Sequence, residues 1–264
     1  MKTWRILLLA AVMAVVAGCT TTPPVDQPTG EEPWTDPDPD TALIVIAADV
    51  FRDVTSTLTD GYRPIDSSVL VLTVTEYPIN FVATIEDSLQ MDIIMSVDRA
   101  TMEKLQADGR ITSFTPIATN HLVLAVPAGN PGGIKSLKDL TKPEVRLAVC
   151  GPGDPCGDLA SELITASGLS ITPTMVAQSV SDIVIALMEH EADAGFVFVT
   201  DTTFQEGILE VVDFGAISGV NLSITHYIAA AKDTLLPEIA DAVMAYYLSD
   251  EAKETFARAG FGPV

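Results

Sequence analysis

The chain has 264 residues, 36 acidic against 14 basic side chains for a formal net charge of −22, and 48% hydrophobic content. Nucleic acid is excluded as a partner, because binding it needs a basic face. The length suits one large domain or two modest lobes, and the apolar share is enough to build a core.

The first segment is a leader rather than part of a fold. Lys2 and Arg5 precede an apolar run over 6–17, and Val16-Ala17-Gly18-Cys19 then reads as a bacterial lipobox. This pattern predicts a signal peptide over 1–18, cleavage before Cys19 and lipidation of its thiol, giving an extracytoplasmic protein held to the membrane by lipid. Residues 19–42 are rich in Thr, Pro, Asp and Glu and read as a disordered tether. Fully extended, its 20–40 stretch would reach roughly 70 Å. No other stretch is long and apolar enough to span a bilayer.

From residue 43 strands and helices alternate. The apolar runs at 43–48 (LIVIAA), 68–74 and 91–96 read as buried strands, with helices at 49–60, 78–88 and 98–107 between and after them. Residues 120–126 form a further strand, followed by a Gly/Pro-rich loop over 127–133 and a short turn at 137–140. A second series has strands at 146–150, 174–178 and 194–200 and helices from 156 and from 180 to about 190. Further strands at 209–214 and 224–231 precede two closing helices at 235–248 and 250–259. This alternation means an α/β fold. Two such series, joined by strands near 119–126 and 221–231, predict a two-lobed periplasmic-binding-protein (Venus-flytrap, type II) architecture with a two-strand hinge. Lobe 1 is assigned to 43–118 plus 225–264 and lobe 2 to 119–224. Ligands in such sheets bind beyond the carboxyl ends of strands. Here those ends are 47–50, 75–79, 151–157, 178–180 and 198–201.

The stretch 146–160 (RLAVCGPGDPCGDLA) carries the clearest local signal. A strand stops, turns on Gly and Pro, and enters a helix, which aims backbone N–H groups and the positive helix end at one point. Cys150 and Cys156 are the thiols left once Cys19 is lipidated. An exported location permits a disulfide between them, and the alternative is two small buried thiols. Asp49 and Glu76 fall at two strand ends. They are either helix-cap acids or the lining of a cleft that prefers an amine, a cation or a hydroxylated ligand.

Catalytic patterns are lacking. His121, His190 and His226 show no metal-ligand spacing, and there is no Gly-x-Ser-x-Gly elbow or phosphate loop. Gly151, Gly153 and Gly157 miss the dinucleotide spacing by one place, and Pro152 and Pro155 remove N–H groups that a pyrophosphate needs. The reading is therefore a binding protein, not an enzyme, with no cofactor and no metal.

Several pieces together resemble the molybdate-binding protein family, the periplasmic component of molybdate ABC importers. They are Ala47-Ala48 before a helix, Asp92-Ile93-Ile94-Met95-Ser96, the run from Asn120 to Pro127, Arg146-Leu147-Ala148-Val149, Pro155-Cys156-Gly157, the run from Glu191 to Val197, and Gly260-Phe261. The resemblance spans about residues 43–261. It implies hinge closure over a tetrahedral oxyanion of the molybdate or tungstate class, held by neutral donors, with an importer permease as partner and a monomeric state. Transferred to this chain, the two serine positions fall on Val50 and on Pro78 or Ile79. The tyrosine position falls on Phe198, and the backbone donors lie near Cys156 and Val180. Val50, Pro78, Ile79 and Phe198 have no side-chain donor, and Asp49 beside the first would repel an anion. Thr75, Asn80 and Thr200 are the nearby replacements. The resemblance thus leaves a second possibility, a related binder or sensor that has lost oxyanion specificity.

Overall fold

The structure is a computed structural model that describes residues 41–264 apart from 89, 204 and 206, and leaves the side chains of Pro78 and Ile79 outside the described set. The leader, Cys19 and the tether as far as residue 40 also lie outside it. Among the described residues no helix is long and apolar enough to cross a membrane.

Strand β1 (Ala42–Ala48) begins inside the span assigned to the tether, because Ala42 already pairs with Leu70. Its last four residues are all buried, and it lies parallel to β2 (Leu70–Glu76) and β3 (Ile93–Ser96). The crossovers are α1 (Arg52–Tyr62) and α2 (Pro78–Asp87). β2 starts two residues later than its apolar run suggests. The Asp66 carboxylate accepts from both the backbone N–H and the hydroxyl of Ser68, which holds that end in a turn. After β3 comes α3 (Arg99–Ala107), capped by the Asp98 carboxylate accepting from Thr101 N–H at 2.7 Å.

Strand β4 (Thr115–Pro127) is longer than the sequence pattern indicates. Its first half pairs antiparallel with β9 (Ser223–Ala230), and its second half with β7 (Ala194–Phe198) and β8 (Leu209–Val212). The residues 115–119 are only partly apolar, and β9 supplies the ladder that makes them a strand. β5 (Leu147–Cys150) and β6 (Met175–Ala177) run parallel to one another beyond β7. Helices α4 (Pro155–Ser167) and α5 (Val180–Met188) connect β5, β6 and β7. The order among the described strands is β2-β1-β3-β9-β4-β7-β5-β6, with β8 alongside β4.

Two hydrophobic cores result. The first draws on residues from Leu43 to Ala118 and from Tyr227 to Phe261, including the closing helices α7 (Pro237–Tyr247) and α8 (Asp250–Arg258). The second draws on Leu122 to Leu222. Ile224 packs against both. Between them β4 and β9 carry the chain from one core to the other. The C-terminal segment returns to the same place, where Thr119 and Gly262 exchange backbone hydrogen bonds at 2.9 and 2.8 Å.

β7 ends at Phe198 rather than Thr200. The Asp201 carboxylate accepts the Phe198 N–H at 2.8 Å, and the chain turns into the short helix α6 (Val199–Thr203).

Candidate functional site

The carboxyl ends of β1, β5, β6 and β7 meet around two cavities of about 100 and 30 Å³. Asp49, Val50 and Asp201 border both of them. Ser181 and Thr200 face the larger, and Tyr77, Asp154, Val180 and Phe198 the smaller. Of the residues singled out in the sequence, the structure therefore brings Asp49, Val50, Val180 and Phe198 together. Cys156 is fully buried behind this lining, and the side chains of Pro78 and Ile79 are outside the described set. Glu76 borders neither cavity. Its carboxylate accepts from the Tyr77 N–H and from the side chains of Asn80 and Thr84, so it is tied to α2, where Tyr77 is the N-cap residue, rather than to the cleft.

Asp49 sits in a single 3-10 turn after β1. Its carboxylate is paired with the Arg52 guanidinium and accepts from the Ser181 hydroxyl at 3.4 Å, a contact between the two cores. Burial raises its pKa, and Arg52 pulls against that rise. The Arg52 guanidinium lies 5.8 Å from the centre of the Tyr77 ring.

Asp154 is the N-cap of α4, and its carboxylate accepts from the Cys156 N–H at 2.9 Å. Burial pushes its pKa up, and the N–H of Cys156 and the thiol of Cys150 draw it back. Asp201 is pushed up to about 7, first by burial and then, against the pull of the Phe198 N–H, by repulsion from Asp49, Asp53 and Asp154. The backbone donors at Cys156 and Phe198 are thus already occupied by the protein's own carboxylates.

The start of α5 is different. A capping box ties Ser179 to Asp182, with Asp182 N–H donating to the Ser179 hydroxyl and Ser179 N–H to the Asp182 carboxylate. The next N–H groups, at Val180 and Ser181, have no intrahelical acceptor at this end of the helix, and these two residues border the smaller and the larger cavity. Thr200 lines the larger cavity, but its hydroxyl oxygen already accepts from Asn120 at 2.9 Å.

Cys150 and Cys156 are free, buried thiols in the structure, one of the two states the sequence leaves open. The Cys156 thiol turns toward β7 and donates to the Phe196 carbonyl at 3.3 Å. Asp154 and Asp201 escaped the sequence reading as individual residues. Their signals were an acid directly before Pro155 at a helix start, and an acid three places after the last residue of a buried strand.

Residues 43–262 match the model of a family described as bacterial extracellular solute-binding protein. The chain belongs to that family. Among curated relatives of this solute-binding protein, the molybdate-binding protein ModA of Mycobacterium tuberculosis is 25% identical over 256 residues, covering 97% of this chain and 95% of the relative. The Mycobacterium bovis ModA matches equally. Among solved structures, the Azotobacter vinelandii periplasmic molybdate-binding protein superposes with a TM-score of 0.70 at 20% identity, covering 84% of this chain and 99% of that one. The sulfate-binding protein SubI of M. tuberculosis gives 0.72 at 16% identity, over 85% and 87% of the two chains. The fold is that of the periplasmic binding proteins, and the chain is an extracytoplasmic solute-binding protein, not an enzyme.

Proposed function

We propose that this protein is the lipid-anchored binding component of an ABC importer and captures one small ligand between two lobes. The lobes are 43–118 with 225–264, and 119–224, each containing one of the two cores, with β4 and β9 as the hinge. Closure over a ligand and docking on a permease is the mechanism such an architecture supports. The anchor is Cys19, after removal of 1–18.

The ligand is a small molecule that brings positive charge or several N–H or O–H donors, rather than a free oxyanion. One observation carries this reading: carboxylates from both sides line the cleft and occupy backbone donors that an oxyanion would use. A like charge placed about 4 Å from one of them costs on the order of 4 kcal/mol at an effective dielectric of about 20. The open N–H groups of Val180 and Ser181 suit an acceptor atom on the same ligand, such as the carboxylate or hydroxyl oxygen of an amine-bearing molecule.

The names of the relatives support a second reading, in which the ligand is molybdate or tungstate. It requires Asp201 to be protonated and to donate, which its raised pKa permits below about 7.

Calorimetry on the full mature chain separates the two readings. Molybdate, tungstate and sulfate should give no heat, and a panel of small amines and amino acids should contain a binder that is weakened at least tenfold by Asp49→Asn. Submicromolar binding of molybdate would overturn the amine reading.

A further inference from the structure

The loop from β5 into α4 holds two thiols that border neither cavity of the cleft. Cys150 ends the strand, Asp154 caps the helix, and Cys156 stands in the first turn. The two sulfurs and a carboxylate oxygen of Asp154 all lie within 4.8 Å of one another. The cause is a close approach of helix to strand end. Gly157 has no side chain, and a Cβ there would lie 2.7 Å from the Cys150 carbonyl oxygen and closer still to that of Gly151.

Both thiols are buried, at 3% and 0% exposure, so neither is a surface cysteine. Three donors make this cluster, and among the described residues no other His, Cys, Asp or Glu joins it. A closed structural zinc site needs four. Two thiols this near each other, in a protein of an extracellular family, are instead suited to joining.

We propose that Cys150 and Cys156 are a modification site, oxidised during export by a disulfide-bearing oxidant to an internal disulfide that pins the turn presenting Asp154 to the cleft. One thiol loses its proton and attacks a sulfur of the oxidant, giving a mixed disulfide. The second, deprotonated in turn, displaces the oxidant's sulfur, so the chain loses two protons and two electrons and the oxidant leaves as a dithiol. The step belongs before α4 docks on β5, since the folded pair is screened from solvent. In the folded state the hydrogen bond with Cys156, and then burial, raise the Cys150 pKa and suppress its thiolate. In the bridged form the Cys156 donor to Phe196 and the Cys150 contact to Asp154 are both given up, and a covalent link replaces them across the same turn.

The test uses the full chain exported to an oxidising compartment and purified without reductant. After denaturation in iodoacetamide, the peptides bearing Cys150 and Cys156 should be unalkylated, and should each gain one label only after reduction. Two labels without reduction, with or without a bound metal, would overturn the proposal. Amide exchange gives a local readout on the folded protein. Reduction should speed exchange across residues 151–157 at least tenfold and leave β1 unchanged, and the Cys150→Ser/Cys156→Ser double variant should not respond to reductant. Equal exchange over 151–157 in oxidised and reduced wild-type protein would refute the pinning.

Discussion

Two titratable side chains give this protein opposite responses to pH. His226 is wholly buried in β9 against Phe51 and Phe261, with ring centres 5.2 and 5.6 Å away. Its Nδ1 lies 2.8 Å from the Val97 carbonyl, which can only accept, so Nδ1 carries the proton and the buried Nε2 is left bare. Burial lowers its pKa to about 4. As pH falls from about 6.5, the unfolded chain takes up this proton before the native one does, so the contribution of His226 to stability is full above about 6.5 and lost toward 4. The loss amounts to as much as about 3 kcal/mol. Melting curves between pH 7 and pH 4 should show this slope, and His226→Phe should flatten it. Asp201 works the other way. With its pKa up to about 7 in the native state, the unfolded chain releases its proton first as pH rises from about 4, and the native state weakens up to about 7. Asp201→Asn should therefore raise the melting temperature at pH 8 and leave it little changed at pH 4. The same group decides the sign of ligand binding. Affinity for an amine should rise as pH passes up through 7, whereas affinity for molybdate would fall.

Elements are positioned by a few polar locks whose loss has a defined cost. Asp92 is completely buried beside β3, where its carboxylate accepts from Ile44 N–H of β1 at 2.8 Å and from the Thr234 hydroxyl after β9 at 2.5 Å. Asp92→Ala would leave the Ile44 donor buried and unpaired, and should cost about 2–3 kcal/mol in denaturant unfolding. Ser179 caps the helix whose first turn borders the cleft. Ser179→Ala should remove about 1 kcal/mol of stability and, by letting the first turn of α5 fray, reduce ligand affinity as well. A cap that served stability alone would change the first measurement and not the second.

At the scale of the whole molecule, two separately packed cores are linked by β4 and β9 and by the return of Gly262 to Thr119. The Ser181 hydroxyl on Asp49 is a polar contact between the two cores. Ser181→Ala should leave the melting temperature within about a degree, as is usual for a half-exposed contact worth under about 1 kcal/mol. It should also increase the radius of gyration measured by small-angle X-ray scattering without ligand. An unchanged radius would show that this hydroxyl does not bias closure.

Apolar runs, capping residues and Gly/Pro breaks are local, and they were enough to place almost every strand and helix from the sequence. Where the structure differs, two causes are short-range hydrogen bonds that an apolar pattern does not register, Asp66 to Ser68 before β2 and Asp201 to Phe198 at the end of β7, and one is a distant partner, β9, which draws 115–119 into β4. Convergence of the strand ends was also legible, because parallel order and crossover length follow from alternation. The electrostatics of the cleft were not. Asp154 and Asp201 are ordinary helix-start and post-strand acids until folding sets them opposite Asp49. Whether a carboxylate faces solvent, a backbone N–H or another carboxylate depends on distances between residues over a hundred positions apart in the chain.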